Sequence, residues 1–323
     1  MTLGIYNVYS FYDGVTSKNV WLNNIDDENL KQIAASEFLY YEGKITESYT
    51  LLISIISDAT REKNYDALIG ASALLCRVSL VMNDYDVWQK GISILFNCRD
   101  KNPLLCDFMI SSIYCCIDSY EFVIDFIKKN YDIPKSYKPQ YNYLLMATDY
   151  VDVNKAIDDI IGRNKSIVCV IQAYLLKAIL SKSDEVRIKY IQKSFDVSIS
   201  NGFIMPLVEM GMPLNRFYKN KYIKNHSKEL KIIKKLCKSY ASGITKVYLD
   251  SDENELTLKE FTALFFMAQG KKNKEIASIM NISENTLKYY LKLAFEKTSI
   301  KKRKQIDQII VKFDKNIKTG GKN

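Results

Sequence analysis

The chain has 323 residues with only 12 glycines and 5 prolines, too few turn formers for a sandwich or barrel, so about two domains of mostly helical structure are expected. Its formal charge of +9 is uneven: residues 1–215 hold 21 basic against 26 acidic side chains, 216–246 hold 10 against 1, 247–255 none against 4, and 256–323 hold 15 against 6. The single histidine (His226), seven cysteines without a CxxC pair, and missing phosphate-loop, dinucleotide, hydrolase and zinc-protease signatures argue against an enzyme, a cofactor or a metal.

Residues 1–25, rich in Tyr, Asn and Gly, show no period and are assigned as an N-terminal arm or partial repeat. From Asp26 onward Leu30, Ile33, Ala34, Phe38 and Tyr41 recur at spacings of three and four, which predicts a helix closed by Gly43. Tyr49, Leu52, Ile53 and Ile56 mark one face of the next. Turn centres at Lys44, Asp84, Ser119, Asp149 and Asp184 then follow at intervals of 40, 35, 30 and 35 residues. A tetratricopeptide repeat has a period of about 34, and helix pairs of this kind bury their apolar faces only by stacking. The apolar stretch Leu68–Met82 is interrupted by Arg77, and Val168–Leu180 by Gln172 and Lys177, so no membrane span is expected. Met1–Ser10 lacks the basic and apolar regions of a leader, which points to a cytoplasmic protein. The 23 tyrosines read as packing residues, and Cys115 and Cys116 as buried thiols.

Residues 216–239 read as a basic helix or helix pair with Ile223, Leu230, Ile233 and Leu236 as the buried stripe. Ala241–Glu255, with Gly243 and an acidic run, reads as a solvated linker. The division is an arm at 1–25, a helical repeat array at 26–240, an acidic linker at 241–255 and a small domain at 256–323.

After the linker, Thr257 and Glu260 form a capping-box pair, Gly270 ends the first helix, Asn273 caps a short second helix and Ser283 caps a third. Leu287, Leu291 and Phe295 are expected inward against Ile276, Ile279 and Ile282, leaving Thr286, Lys288, Tyr289 and Lys292 outward. A short helix, a tight turn and a second helix with a cationic outer face is a helix-turn-helix, spanning Asn273 to Lys292.

The strings Leu256-Thr257-Leu258-Lys259-Glu260, Ala268-Gln269-Gly270, Asn273-Lys274-Glu275-Ile276-Ala277 and Ile282-Ser283-Glu284-Asn285-Thr286-Leu287-Lys288, with Arg303 beyond them, resemble the LuxR-type (GerE-like) DNA-binding domain. The resemblance covers about residues 256–313. The sequence departs from the family pattern at Phe261, Thr262, Phe265, Tyr290 and Thr298. Upstream, Ala173–Ser200 and Gly202–Gly211 are similar to the end of the repeat region in MalT-like regulators, whose nucleotide-binding module has no counterpart motif here.

The resemblance implies an all-α protein in which a tetratricopeptide-like helical repeat array precedes a small four-helix LuxR-type helix-turn-helix domain. It further implies sequence-specific binding of double-stranded DNA, with Lys288, Tyr289 and Lys292 at base edges and Lys274, Ser283, Thr286 and Arg303 positioning the duplex through phosphate. Because one such domain makes few base contacts, a homodimer on paired half-sites is expected. The array is expected to receive an effector, whether protein, peptide or small molecule, with RNA polymerase a further candidate partner and no membrane contact. The alternative is a repeat scaffold whose C-terminal domain is a protein-interaction module, favoured by an apolar pair at Phe261 and Phe265.

Overall fold

The computed structural model describes residues 12–116, 121–134, 141–142, 144–145, 152–163, 166–181, 183–210, 223, 226–249, 256–268, 271–280 and 282–298. Every regular element among them is an α-helix. The chain divides into two compact units, Met1–Val78 with Asp86–Lys234, and Ser79–Tyr85 with Lys235–Asn323.

In chain order α1 (Lys18–Asn23) is followed by α2 (Glu28–Tyr41), α3 (Ile45–Glu62), α4 (Tyr65–Met82), α5 (Tyr85–Asn97), α6 (Pro103–Cys116) and α7 (Glu121–Lys128), all in the first unit save residues 79–85 at the α4–α5 turn. Further along come α8 (Val153–Arg163), α9 (Ile167–Leu180), α10 (Asp184–Asn201) and the short α11 (Met205–Glu209). The first couplet shows how local sequence makes these pairs. The Asp27 carboxylate accepts from the Leu30 N–H at 3.0 Å, and Leu30, Ile33, Ala34, Phe38 and Tyr41 are all buried. Gly43 takes φ +78°, a left-handed turn that glycine adopts without strain. Gly43 N–H then bonds the Tyr40 carbonyl and Lys44 N–H the Leu39 carbonyl, each at 2.9 Å, completing a Schellman closure.

The inward face of α3 is Ser48, Leu52, Ile55, Ile56 and Ala59; Tyr49 and Ile53, expected there, are only half-buried. The crossing with α2 sets this rotation. Ser36 Oγ donates to the Ser48 carbonyl at 3.1 Å and Ser48 Oγ to the Ser36 carbonyl at 2.9 Å, so the two backbones meet at a pair of small residues. The device recurs. Helices α2, α4 and α6 begin at residues 28, 65 and 103, and each carries a serine seven or eight residues past its first residue: Ser36, Ser72 and Ser111. Gly91 of α5 lies so close to α4 that an added Cβ would sit 2.6 Å from Cys76 Sγ and 3.1 Å from the Ser72 carbonyl oxygen. Ser111 of α6 donates to the Phe122 carbonyl of α7 at 3.1 Å. Of the expected turn centres, Lys44 is the N-cap of α3, Asp84 lies between α4 and α5, and Asp184 opens α10; Ser119 and Asp149 fall outside the described residues.

Helix α4 corrects the membrane argument in its detail. With Arg77 included, Tyr65–Met82 is long and apolar enough to cross a membrane, yet 78% of it is buried inside the protein, as a core helix requires. Arg77 is the reason it can be both. Its Nη2 lies 2.9 Å from Glu209 Oε1, its guanidinium stands 4.7 Å from the centre of the Tyr40 ring, and Tyr40 OH donates to the same carboxylate at 2.6 Å. Burial, and then the neighbouring Glu209 charge, push the Tyr40 phenol well above its ordinary value.

That cluster also ties the end of the unit to its start, which a stack of nearest-neighbour pairs does not require. Ile204 N–H bonds the Tyr41 carbonyl at 2.8 Å, and Ile167 N–H the Tyr12 carbonyl at 3.0 Å. The Tyr12 ring stands edge-on to Phe38 at 4.9 Å and to Phe203 at 5.8 Å. The Gly202-Phe203 turn is therefore a closing segment folded onto α2, with Gly202 at φ +69° and Phe203 fully buried. None of the seven cysteines forms a disulfide; Cys116 is half-buried and the other six are buried, and burial pushes the Cys106 thiol up to about 12.

A long helix, α12 (Ser227–Leu249), follows. Its first turns bury Leu230, Ile233, Cys237 and Tyr240, while Leu236, expected in that stripe, is half-buried. Residues 241–249, expected as the start of a solvated linker, are instead the last turns of this helix. Ala241, Ile244, Thr245 and Val247 are buried, and Gly243 packs so tightly that a Cβ would fall 2.0 Å from the Leu80 carbonyl oxygen. Glycine at 243 thus serves close backbone approach rather than flexibility, and the acidic residues 250–255 lie outside the described residues.

Candidate nucleic-acid interface

Three helices follow: α13 (Leu258–Ala268), α14 (Asn273–Met280) and α15 (Glu284–Thr298). Helix α13 opens with a reciprocal capping box. Thr257 N–H donates to Glu260 Oε2 at 2.6 Å, and Glu260 N–H to Thr257 Oγ1 at 3.3 Å. Glu260 has a second task that neighbouring sequence does not reveal: Lys297, near the end of α15, donates to the same oxygen at 2.7 Å. Burial opposes the Glu260 charge, but Lys297 and the Thr257 donors outweigh it and hold the carboxyl below its ordinary range. One buried carboxylate thereby joins the start of α13 to the end of α15.

Helix α13 closes with Lys271 N–H on the Phe266 carbonyl at 3.2 Å, while Gly270, expected to end it, is outside the described residues. The cap of α14 corrects the sequence reading. Lys272, not Asn273, is the N-cap: its carbonyl accepts from Ile276 N–H at 3.0 Å, and Glu275 Oε2 accepts from Lys272 N–H at 2.7 Å. Asn273 Oδ1 is buried without a partner among the described atoms. Glu275, three residues past the cap, satisfies the cap residue's own N–H, which is the glutamate half of a capping box. Ser283 does cap α15, accepting from Thr286 N–H at 3.0 Å, and its hydroxyl meets Thr286 Oγ1 at 2.8 Å.

The buried face of α15 is Leu287, Leu291 and Ala294; Phe295, expected there, is half-buried. The reason is pitch. A strict spacing of four drifts about 40° per step from a helix of 100° per residue, so by the third turn position 294 has rotated into the core. Ile276 is fully buried opposite, Ile282 is half-buried, and the Ile279 side chain is outside the description.

On the other side, Lys288 is exposed, Tyr289 is 59% exposed and the Lys292 side chain 74% exposed. At 100° per residue these three share an arc of about 100°, facing away from the core residues. The contact of Lys292 with Glu296 is 3.9 Å long and solvated, too weak to hold the lysine away from a ligand. Lys274, on α14, is exposed, as is Ser283; Thr286 is half-buried. Arg303 and the 301–304 basic run lie outside the described residues, as do the side chains of Phe261, Thr262 and Phe265.

Residues 254–309 match the family model for bacterial regulatory proteins of the luxR family. The C-terminal domain is a luxR-family domain. Such a domain supports a DNA-binding transcription regulator in general. Against curated proteins and solved structures the chain finds no match.

Two departures from the family pattern acquire local partners. Tyr290, where the family commonly has histidine, accepts from Lys259 Nζ at 3.2 Å, and that ammonium stands 5.5 Å from the ring centre, so this tyrosine fastens α15 to α13. Thr298, where a leucine is usual, returns its hydroxyl to the Ala294 carbonyl at 2.7 Å. The Lys259–Tyr290 and Glu260–Lys297 pairings could not be read from spacing, since the partners lie 31 and 37 residues apart across the domain.

Proposed function

We propose that this regulator reads DNA by laying α15 in the major groove of a half-site. The supporting observation is the disposition of Lys288, Tyr289 and Lys292 on one solvent-facing arc opposite a fully buried stripe. Lysine ammonium groups there suit the O6 and N7 acceptors of guanine, and the Tyr289 ring suits a thymine methyl. Lys274, Ser283, Thr286 and Arg303 are assigned to the phosphate backbone, where free N–H groups in the first turns of α14 and α15 add donors. Ser283 and Thr286 already serve the α15 cap, so a phosphate would meet that cap rather than replace it.

A single domain of this size buries little DNA surface, and two copies on paired half-sites are the economical route to useful affinity. In this reading the protein is a cytoplasmic homodimer on DNA without catalytic activity of its own. The array receives a protein, peptide or small-molecule effector, and RNA polymerase is a candidate contact once the complex is on a promoter. The test is selection by the full chain from a random duplex library, with footprinting of the selected duplexes. Enrichment of a short sequence, lost in Lys288→Ala and Lys292→Ala, is the expected result; recovery of no preferred sequence overturns the reading and favours a protein-interaction role for the domain.

A further inference from the structure

We propose that the exposed lysine face of α12 is a second, sequence-independent contact to duplex phosphate, outside the luxR-family domain. Lys228, Lys231, Lys234, Lys235 and Lys238 are all exposed. At 100° per residue they fall within an arc of about 120°, which runs about 15 Å along the helix at 1.5 Å per residue. The nearest acid on the helix, Glu229, is half-buried and lies outside that arc. None of the five lysines makes an ion pair among the described residues. Every one of them has another three or four places away, the spacing at which like charges on a helix repel. Such a face costs the free helix stability that a polyanion would return.

Two features select duplex DNA among polyanions. A helix that lies on an anionic membrane needs an apolar face free to enter it, but here Leu230, Ile233, Cys237 and Tyr240 are buried within the protein, leaving Ile232 as the exposed large apolar side chain among those described on this helix. The chain itself supplies the second. Helix α12 ends at Leu249 and α13 begins at Leu258, so at ~3.5 Å per residue the connection spans at most about 30 Å, and DNA held by the luxR-family domain is present at high local concentration. Duplex DNA offers about one charge per 1.7 Å of axis, so a 15 Å stretch presents several phosphates to the five lysines. The contact carries no base information; it adds affinity and salt dependence to a domain that makes few contacts alone.

The inference rests on the DNA-binding reading, and the experiment separates the two. The full chain, a variant with all five lysines changed to Gln, and a control with the scattered exposed lysines Lys63, Lys90, Lys101, Lys155 and Lys189 changed to Gln are titrated against a random-sequence 30-base-pair duplex across a salt series. The same proteins are tested on vesicles containing phosphatidylglycerol, and circular dichroism checks their helix content. The five-lysine variant is expected to show a slope of log affinity against log salt shallower by about two units, at about 0.9 per phosphate released. Its sequence preference in the selection experiment should be unchanged. An unchanged slope, an equal loss in the control, or a loss confined to vesicles overturns the proposal. Failure of the unaltered chain to bind duplex at any salt overturns the DNA reading itself.

Discussion

Replacing Glu260 with alanine tests the architecture of the DNA-binding domain at one atom, because Glu260 Oε2 accepts from both Thr257 N–H and Lys297 Nζ. Losing the capping box costs about 1 kcal/mol. The charge-assisted bond to Lys297 would be worth about 1.5–3 kcal/mol if sheltered, less here because Lys297 is 35% exposed, and relief from burying the carboxylate offsets part of the loss. The net is about 2 kcal/mol, or roughly a thirtyfold change in an equilibrium constant. In a domain this small that is a large share of the total. Hydrogen exchange on the full chain reads it directly: amides of residues 284–298 should lose about thirtyfold in protection in Glu260→Ala and about fivefold in Glu260→Gln, which keeps the acceptor but not the charge. The pH dependence has a definite sign. A carboxyl held below its ordinary value stabilises the fold above its unfolded value, near 4.5, and this contribution disappears as pH falls through the lower folded value. Protection of α15, corrected for intrinsic exchange, should therefore decline on acidification below about pH 4.5 in the native chain and be flatter in Glu260→Gln. A change of less than threefold in Glu260→Ala would refute the claim that this carboxylate joins α13 to α15.

In the groove, Lys288→Ala and Lys292→Ala should each cost about 1–3 kcal/mol at a selected site and relax preference at one base pair, measured by fluorescence anisotropy on single-base variants. Lys274→Ala should instead weaken selected and random duplexes alike, with a salt slope shallower by about one unit. Within the array, Arg77→Met leaves the Glu209 carboxylate buried without its guanidinium. Its denaturant midpoint, followed by fluorescence of Trp21 and Trp88, should fall by the equivalent of about 3 kcal/mol. Gly243→Ala would place a Cβ 2.0 Å from the Leu80 carbonyl oxygen and should lower the thermal midpoint of the full chain, by circular dichroism, through a loss of at least 1–3 kcal/mol, the ~1–3 kcal/mol usual for overpacking being a floor where the obstacle is backbone.

The amino-acid sequence by itself determined the elements that rest on local chemistry. Asp27 with Leu30, Thr257 with Glu260 and Ser283 with Thr286 are caps whose partners lie three residues apart, and the stripe from Leu30 to Tyr41 is a period of one helix. The outward placement of Lys288, Tyr289 and Lys292 follows from the same period once Leu287 and Leu291 are assigned inward. Tertiary structure decided what no local period encodes. Arg77 reads as an interruption of an apolar run until Glu209, 132 residues away, supplies its counter-charge. Gly243 reads as a linker glycine until Leu80 approaches it. Glu260 reads as half of a capping box until Lys297 arrives from the far end of α15, and Phe295 yields its core position to Ala294 because about two turns of helix accumulate a rotation that a four-residue pattern ignores. Each of these depends on a pairing between distant segments, fixed by burial and charge when the helices meet.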